Sequence, residues 1–187
     1  WMMDNDIKIL LINRTDEFLS EYIAPYAERL NWVSNFSGSA GRAIIELTQA
    51  YIFVDGRYAA QVKDEVNQDY FEIKHLKNYW SHLQKYDQDI ESISLDPSLH
   101  SVSEVKKIKN LFKNISLNFI SHPIDILWKN QPSYPKSKIF LHSLEYSGID
   151  SATKIKNIQN KLKLSFIDFY LMSSLDSIAW LLNIRGD

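Results

Sequence analysis

Short apolar runs alternate with helical patterns along the first two thirds of the chain. Six runs of five to seven residues are rich in Ile, Val, Leu and Phe, which is the length and composition of buried β-strands. The predicted strands cover residues 7–13, 42–47, 50–55, 70–76, 92–96 and 115–121. Only Thr48 and Gln49 separate the second run from the third, so these two strands are predicted to form a hairpin.

Helical patterns fill most of the segments between these strands. Pro25 suits the first turn of a helix that ends before Gly38, because its missing N–H costs nothing there. Further helices are predicted over residues 56–66, 78–87, 101–114 and 123–130. In the helix that starts at residue 101, Ser101 and Glu104 have the spacing of a capping box.

This order of elements predicts an α/β fold. Strands that alternate with helices of about three turns are typical of a three-layer sandwich, in which helices cover both faces of one sheet. The early hairpin places antiparallel strands in that sheet, so a mixed β-sheet is expected rather than a purely parallel one.

A change of composition marks a predicted domain boundary. The segment QPSYPKSK, residues 131–138, holds two prolines, two lysines and two serines, which is typical of a linker. We therefore predict a first domain over 1–130, a linker over 131–138 and a second domain over 139–187. A helix at 151–163, a strand at 166–172 and an apolar helix at 174–184 are predicted in the second domain.

An internal repeat links the two predicted domains. Residues 28–38 align without a gap with residues 176–186, and the alignment pairs Trp32 with Trp180 and Asn35 with Asn183. Chance similarity of two amphipathic helices is the alternative explanation. If the repeat is real, the second copy stops one residue after its glycine, Gly186, where the first copy continues into its sheet. The second domain is therefore expected to be incomplete, with an exposed apolar helix.

Composition and charge narrow the class of protein. The 187 residues are 45% hydrophobic and 24% charged, with a net charge of −2, which indicates a core-forming globular protein. The balanced charge argues against nucleic-acid or membrane-surface partners. The absence of cysteine fits a reducing compartment, so a cytoplasmic location is expected. No apolar run approaches the about 20 residues that span a bilayer.

Metal chemistry has little support from the residues themselves. The five histidines are scattered, and none belongs to an HExxH pattern or a carboxylate cluster, so no metal site is predicted within this chain. We interpret His75 as lying at a strand end and His82 as lying on a solvated helix face.

Nucleophilic and anion-binding sites are also weakly indicated. The chain has no cysteine and no GxSxG motif. The segment SGSAG, residues 37–41, is interpreted as a closely packed turn rather than an anion-binding loop. The carboxylates of Asp16, Glu17 and Glu21 are interpreted as part of a solvated loop rather than as the lining of a cleft.

One short motif is more informative. Residues 55–58, Asp-Gly-Arg-Tyr, join a predicted strand to a helix, and they place Arg57 where the helix dipole repels a cation. In a structural interpretation Asp55 caps the helix, Gly56 permits the turn, Arg57 pairs with a nearby acid and Tyr58 packs. In a functional interpretation the Arg57 guanidinium binds an anionic ligand or carboxylate through its planar fork. The spacing leaves both open.

A family resemblance covers nearly the whole chain. RTDEFLSEYIAPYAERLNWVSNFSGSAGRAII, residues 14–45, followed by YIFVDGRYAAQV, residues 51–62, resembles the amino-terminal domain of Xaa-Pro aminopeptidases, most closely their long, three-domain branch. PIDILWKNQPSYP is similar to the end of that family's first domain, and LEYSGIDSATKI to the entry of its second. LDSIAWLLNIRGD, residues 175–187, is similar to the segment before its catalytic part.

The resemblance implies a fold and an activity. It implies the creatinase/prolidase N-terminal fold, with a ribonuclease-H-like motif and a second domain that repeats the first. It implies an enzyme that removes the N-terminal residue from peptides with proline in second position. It also implies a dinuclear metal centre, usually manganese, held by two Asp, two Glu and one His of a carboxy-terminal domain, and a homodimer. None of those metal ligands is expected in this chain.

One functional residue carries over by the resemblance. The Arg of the family's DGRY motif contacts substrate, and it falls on Arg57. No catalytic residue transfers, so this chain is expected to form a wall of the active-site cleft and to be inactive alone. Arg57 is expected to lack a partner within this chain. The alternative is a peptidase-like interaction module without catalytic activity.

Overall fold

Six strands of the first part of the chain form one sheet with the order β4-β3-β2-β1-β5-β6. The computed structural model describes residues 1–86, 90–112 and 114–186, so the predicted helix positions 87 and 113 and the last residue of the predicted second domain lie outside the described residues. The strands are β1 (Ile9–Asn13), β2 (Gly41–Glu46), β3 (Ala50–Val54), β4 (Phe71–His75), β5 (Ser92–Leu95) and β6 (Ser116–Phe119).

The pairing confirms the predicted mixed sheet. Strand β2 is antiparallel to both β1 and β3, and it forms the predicted hairpin with β3. Strand β1 is parallel to β5, as β3 is to β4 and β5 to β6. All six predicted strands coincide with observed ones. The central strands β1 and β3 are buried along most of their length, which explains their continuous apolar runs. The edge strands β4 and β6 are partly or mostly exposed.

Helices cover both faces of this sheet, as predicted. The helices of this part are α1 (Arg29–Ser34), α2 (Gln61–Glu65), α3 (Tyr79–Leu83), α4 (Val102–Leu111) and α5 (Pro123–Leu127). Leu10 and Ile12 of β1 pack in one buried cluster with side chains of α1, α2 and α5. Ile9 and Leu11 point the other way, into a second cluster with α3 and α4. The three-layer α/β sandwich is therefore confirmed.

Two predicted helices are shorter than their patterns suggested. A 3₁₀ turn over Pro25–Ala27 precedes α1, because Glu28 leaves the helical region with ψ 48°. Another 3₁₀ turn, Gly56–Tyr58, precedes α2. The apolar period of a continuous helix also suits two short turns, so the period alone did not separate them.

Only half of the predicted capping box forms at α4. The Ser101 hydroxyl accepts a hydrogen bond from the Glu104 backbone N–H at 3.2 Å. The Glu104 side chain does not return the bond to Ser101; it bonds the side chains of Arg42 and Asn13. A tertiary ion pair has therefore taken the carboxylate that the local motif would use.

The chain divides into two units, residues Trp1–Ser133 and Tyr134–Asp187. The division falls within the predicted linker, and residues 131–139 belong to no helix or strand. The second unit contains β7 (Phe140–Leu141), α6 (Leu144–Ser147), α7 (Ser151–Leu164), α8 (Leu175–Leu182) and β8 (Ile184–Arg185). No helix among the described residues is long and apolar enough to cross a membrane.

The predicted strand at 166–172 is wrong. These residues form no strand, and Phe166, Phe169 and Leu171 are largely exposed. A strand needs a hydrogen-bonding neighbour as well as apolar residues, and within the described residues of the second unit this segment has none. The apolar pattern predicted a buried strand, but this segment forms no strand pairing and most of its apolar side chains are exposed.

Helices α1 and α8, which hold the two copies of the proposed repeat, end in the same way. Asn35 and Asn183 both adopt the left-handed conformation, with φ of 64° and 51°. Their backbone N–H groups donate to the carbonyls of Asn31 and Ala179, which are equivalent in the alignment. The equivalent asparagines therefore perform the same capping task.

Candidate substrate-contacting site

Arg57 lies in the 3₁₀ turn that follows strand β3, at the carboxyl end of that strand. The Asp55 carboxylate caps this turn by accepting the Arg57 backbone N–H at 2.9 Å. The same carboxylate offsets the positive end of the turn, which explains how a cation is tolerated at this position.

Asp55 also holds the side chain of Arg57. The Arg57 Nη2 and Nε atoms lie 2.6 Å and 3.0 Å from Asp55 Oδ2. The hydrogen bonds from Arg57 hold the pKa of the Asp55 carboxyl below its usual value, so both groups are charged at neutral pH. The expectation that Arg57 lacks a partner within this chain is therefore wrong, because the cap residue itself supplies one.

The pair nevertheless leaves part of the guanidinium accessible. The Arg57 side chain is 71% exposed. Within the described residues Nη1 makes no hydrogen bond, since Asp55 occupies the edge formed by Nε and Nη2. Asp55 thus contacts one edge of the guanidinium, and Nη1 stays free to bind another acceptor.

Gly56 is not required by the turn itself. Its backbone is not in the left-handed region, and a Cβ atom there would meet only His75 Nε2 at 3.9 Å. The interpretation that Gly56 permits the turn is therefore not supported by its geometry. What the missing side chain does provide is open space beside the exposed Arg57.

Tyr58 connects this turn to residues 36–39 through a hydrogen bond and a ring contact. Its hydroxyl lies 2.6 Å from the Ser39 hydroxyl, and its ring contacts the edge of Phe36 at 5.5 Å between centroids. The Ser39 hydrogen bond lowers the pKa of Tyr58. A Cβ atom on Gly38 would lie 2.3 Å from the Phe36 ring, so close packing explains the small residues of this segment.

Of the two predicted histidine positions, one is confirmed and one is wrong. His75 lies at the end of β4, as predicted, and its Nδ1 accepts the Lys77 N–H. The prediction of a solvated face for His82 is wrong, because this residue is 8% exposed. Burial, with repulsion from Lys74 and Lys85, lowers the pKa of His82 to about 4.

The acidic loop after β1 is more ordered than predicted. Asp16 is 5% exposed and accepts the backbone N–H groups of Phe18 and Ser20, so the expectation of solvation is wrong for this residue. Glu17 accepts a hydrogen bond from the Tyr26 hydroxyl at 2.8 Å. Both carboxylates therefore organise the loop.

Two arginines at the same edge of the sheet were not predicted as residues of a site. Arg14 pairs with Glu28 at 3.0 Å, and it also donates to the backbone carbonyl of Ser39. Arg42 pairs with Glu104, and its guanidinium carbon lies 4.9 Å from the centre of the Tyr79 ring. One feature of the sequence could have indicated them: each arginine lies directly after or within an apolar strand, where a cation needs a partner.

Comparison with known proteins places this fold in a family. The model of the creatinase/prolidase N-terminal domain matches residues 1–127, and a second model with the same description matches residues 130–187. The chain is 30% identical over its whole length to a probable Xaa-Pro aminopeptidase P of Paracoccidioides lutzii. It is also 30% identical over 99% of its length to one of Coccidioides posadasii.

Solved structures agree with these matches. The X-prolyl aminopeptidase of Caenorhabditis elegans, described as a cytosolic enzyme with a di-nuclear active site, superposes on 96% of this chain with a TM-score of 0.86. The identity is 25%, and the match covers 31% of the nematode chain. An X-Pro aminopeptidase of Thermotoga maritima shares the fold over 65% of this chain and 33% of its own, with a TM-score of 0.52 and 23% identity.

The mixed sheet and its helical layers define an α/β domain of the kind that these peptidases contain. The chain belongs to the creatinase/prolidase N-terminal domain family. The resemblance to Xaa-Pro aminopeptidases is thereby confirmed. The chain spans about a third of the length of the curated relatives it matches, 32% of the first and 30% of the second.

Proposed function

We propose that this chain is the non-catalytic N-terminal part of a metal-dependent Xaa-Pro aminopeptidase. The proposal rests on one observation: the whole of this chain is similar to about a third of the length of a probable Xaa-Pro aminopeptidase P. The substrates would be short peptides with proline in second position, and the products would be the released first residue and the shortened peptide.

The metal centre of the proposed enzyme belongs outside this chain. Among the described residues there is no group of three or more His, Cys, Asp or Glu side chains that could hold a metal ion. The described residues therefore do not fit a dinuclear manganese centre. The cytoplasmic location and the homodimer are parts of the same proposal and belong to the longer protein.

The role proposed for this chain is to wall the cleft and to contact substrate through Arg57. The Asp55 carboxylate keeps the guanidinium in one orientation and keeps its charge, while Nη1 and most of the side chain remain accessible. A carbonyl or carboxylate oxygen of a peptide is a suitable acceptor for that donor. Preorganisation by Asp55 would lower the entropic cost of this contact.

The domain organisation is part of the proposal as well. We propose a first domain over residues 1–130, a linker over 131–138 and the beginning of a second, similar domain over 139–187. The shared left-handed asparagine caps of α1 and α8 support the repeat. Two family models with one description, which meet near residue 130, also support it.

Peptide hydrolysis tests the proposal. The purified 187-residue chain is expected to release no alanine from the tripeptide Ala-Pro-Ala with added Mn²⁺. The protein encoded by the continuing reading frame is expected to release it and to lose that activity in a chelator. Activity of the 187-residue chain that survives purification controls would contradict the proposal. A continuing frame without the two Asp, one His and two Glu would favour the interaction module instead.

A further inference from the structure

The chain leaves two neighbouring parallel strands toward opposite faces of the sheet. After β1 it enters the layer that contains Leu30 of α1, and after β5 it enters the layer that contains Ile108 of α4. In open α/β sheets such a divergence opens a crevice at the carboxyl ends of the two strands, and ligands bind there. The crevice lies next to the DGRY turn, because Ser39 lines it and bonds Tyr58.

A cavity of about 270 Å³ occupies this crevice. Asn13 at the end of β1, Arg42 of β2 and Glu104 of α4 are among the residues that line it. Pockets for drug-sized ligands measure roughly 300–1,000 Å³, so this cavity suits a smaller molecule. Its lining is mostly polar, which points to a ligand that forms hydrogen bonds and ion pairs.

Buried groups of the lining have unused hydrogen-bonding capacity. Asn13 is 5% exposed, and its Nδ2 donates to the Leu99 carbonyl, but its Oδ1 has no partner within the described residues. The adjacent Arg14 side chain is 9% exposed, and its Nε is likewise without a partner there. Buried polar groups are nearly always satisfied, so one acceptor and one donor here call for explanation.

The charges of the lining are mixed. Arg14 and Arg42 supply cations, and Glu21 and Glu104 supply carboxylates. Arg42 and Glu104 form an ion pair whose side chains are 28% and 13% exposed. A simple anion would be repelled by Glu104, and a simple cation by Arg42. A small molecule with both charges can lie antiparallel to this pair and satisfy both.

We propose that this crevice binds a free amino acid as its zwitterion. The ligand carboxylate would lie against Arg42, whose fork-shaped guanidinium keeps donors that Glu104 does not use. The ligand ammonium would lie against the Glu104 carboxylate, which lines the cavity. This assignment rests on the crevice alone and does not depend on the proposed peptidase function.

Titration of the ¹⁵N-labelled 187-residue chain with L-alanine, followed by backbone amide chemical shifts, tests the proposal. Saturable shifts are expected at Asn13, Ser39 and Ser101 with L-alanine. Propionate carries only the carboxylate and ethylamine only the ammonium, so each is expected to bind at least tenfold more weakly. Equal binding of propionate, or no saturable shift with L-alanine, would overturn the assignment.

Paired substitutions provide the controls. Arg42→Gln with Glu104→Gln removes both charges together, so no unpaired charge is left behind, and binding is expected to weaken at least tenfold. Glu72→Gln with Lys74→Gln removes a surface pair on β4 and should leave binding unchanged. If the first double variant does not fold, Ser20→Leu, which fills the cavity mouth, should abolish the shifts. Unaltered binding by a folded variant of the crevice would contradict the proposal.

Discussion

At the scale of single residues, Asp55 performs two tasks that the sequence suggested separately. It caps the turn through the Arg57 N–H, and it orients the Arg57 guanidinium through Nε and Nη2. The motif was predictable because Asp is a preferred cap. The ion pair between this carboxylate and Arg57 could not be predicted, because the spacing of residues does not determine the rotamers of two exposed side chains.

Substitutions of Asp55 separate its two tasks. Asp55→Asn keeps a good cap and removes the ion pair, so the free energy of unfolding should stay close to that of the wild type, as for other exposed pairs. Asp55→Ala removes the cap as well and should lower the free energy of unfolding further. Urea unfolding measures both. Equal losses in the two variants would show that the cap contributes nothing.

His82 predicts a pH dependence of stability. Its pKa is about 4 in the folded protein and about 6.5 when unfolded, so the unfolded state binds the proton first as the pH falls. Stability is therefore complete above pH ~6.5 and is lost toward pH ~4, by up to about 1.4 kcal/mol per pH unit. Urea unfolding between pH 7 and 5 should show this slope.

The variant His82→Gln isolates that effect. Burial also lowers the pKa of His100, which stays in the variant and contributes equally to both proteins. The wild type should therefore lose more stability than His82→Gln over the same pH interval. Parallel pH profiles would show that His82 titrates normally.

The burial of His82 among the rings of Tyr51, Phe53 and Tyr86 was not predicted, because α3 has only five residues, too few to define a periodic face.

At the scale of elements, one buried ion pair joins α1 to α5. Arg29 is 4% exposed and donates to both carboxylate oxygens of Asp125, at 2.6 Å and 2.8 Å. Arg29→Met should destabilise the fold by about 2 kcal/mol, because it removes two charged hydrogen bonds and leaves only His122 Nδ1, at 3.6 Å, near the part-buried Asp125 carboxylate. The double variant Arg29→Met with Asp125→Leu should recover most of that loss in urea unfolding. A double variant as unstable as the single one would contradict this account.

The asparagine caps offer a test of the repeat. A left-handed residue other than glycine or asparagine costs about 1–2 kcal/mol. Asn35→Ala and Asn183→Ala should therefore each destabilise the unit that contains them, and Asn→Gly at either position should cost less. Hydrogen exchange of α1 and α8 would measure each unit separately. An alanine as well tolerated as glycine would contradict the shared role.

Elements were predictable to different degrees for physical reasons. The central strands followed from their apolar runs, because a sheet covered on both faces buries nearly every residue of such strands. The edge strands β4 and β6 were also predicted, although several of their residues are exposed. The breaks in the helices near Glu28 and Tyr58 could not be predicted from the sequence, because a 3₁₀ turn and an α-helical turn have a similar spacing of apolar residues. The false strand at 166–172 had apolar residues without a neighbouring strand, which only the tertiary structure reveals.

At the scale of the whole molecule, the central claim joins two observations. The chain belongs to the creatinase/prolidase N-terminal domain family and matches about a third of the length of its curated relatives. Its DGRY turn presents a cation that contacts Asp55 and remains accessible. Together they support the proposal that this chain walls the cleft of an active site on another part of a longer protein.

The most direct test measures hydrolysis of Ala-Pro-Ala by the longer protein with Arg57 intact or replaced. Arg57→Ala should lower kcat/KM at least tenfold, with partial recovery in Arg57→Lys. Tm should stay constant because the pair with Asp55 is exposed. Lys63→Ala, at an exposed cation of α2, is the matched control and should be silent. An unchanged kcat/KM in Arg57→Ala would contradict the claim that Arg57 contacts substrate.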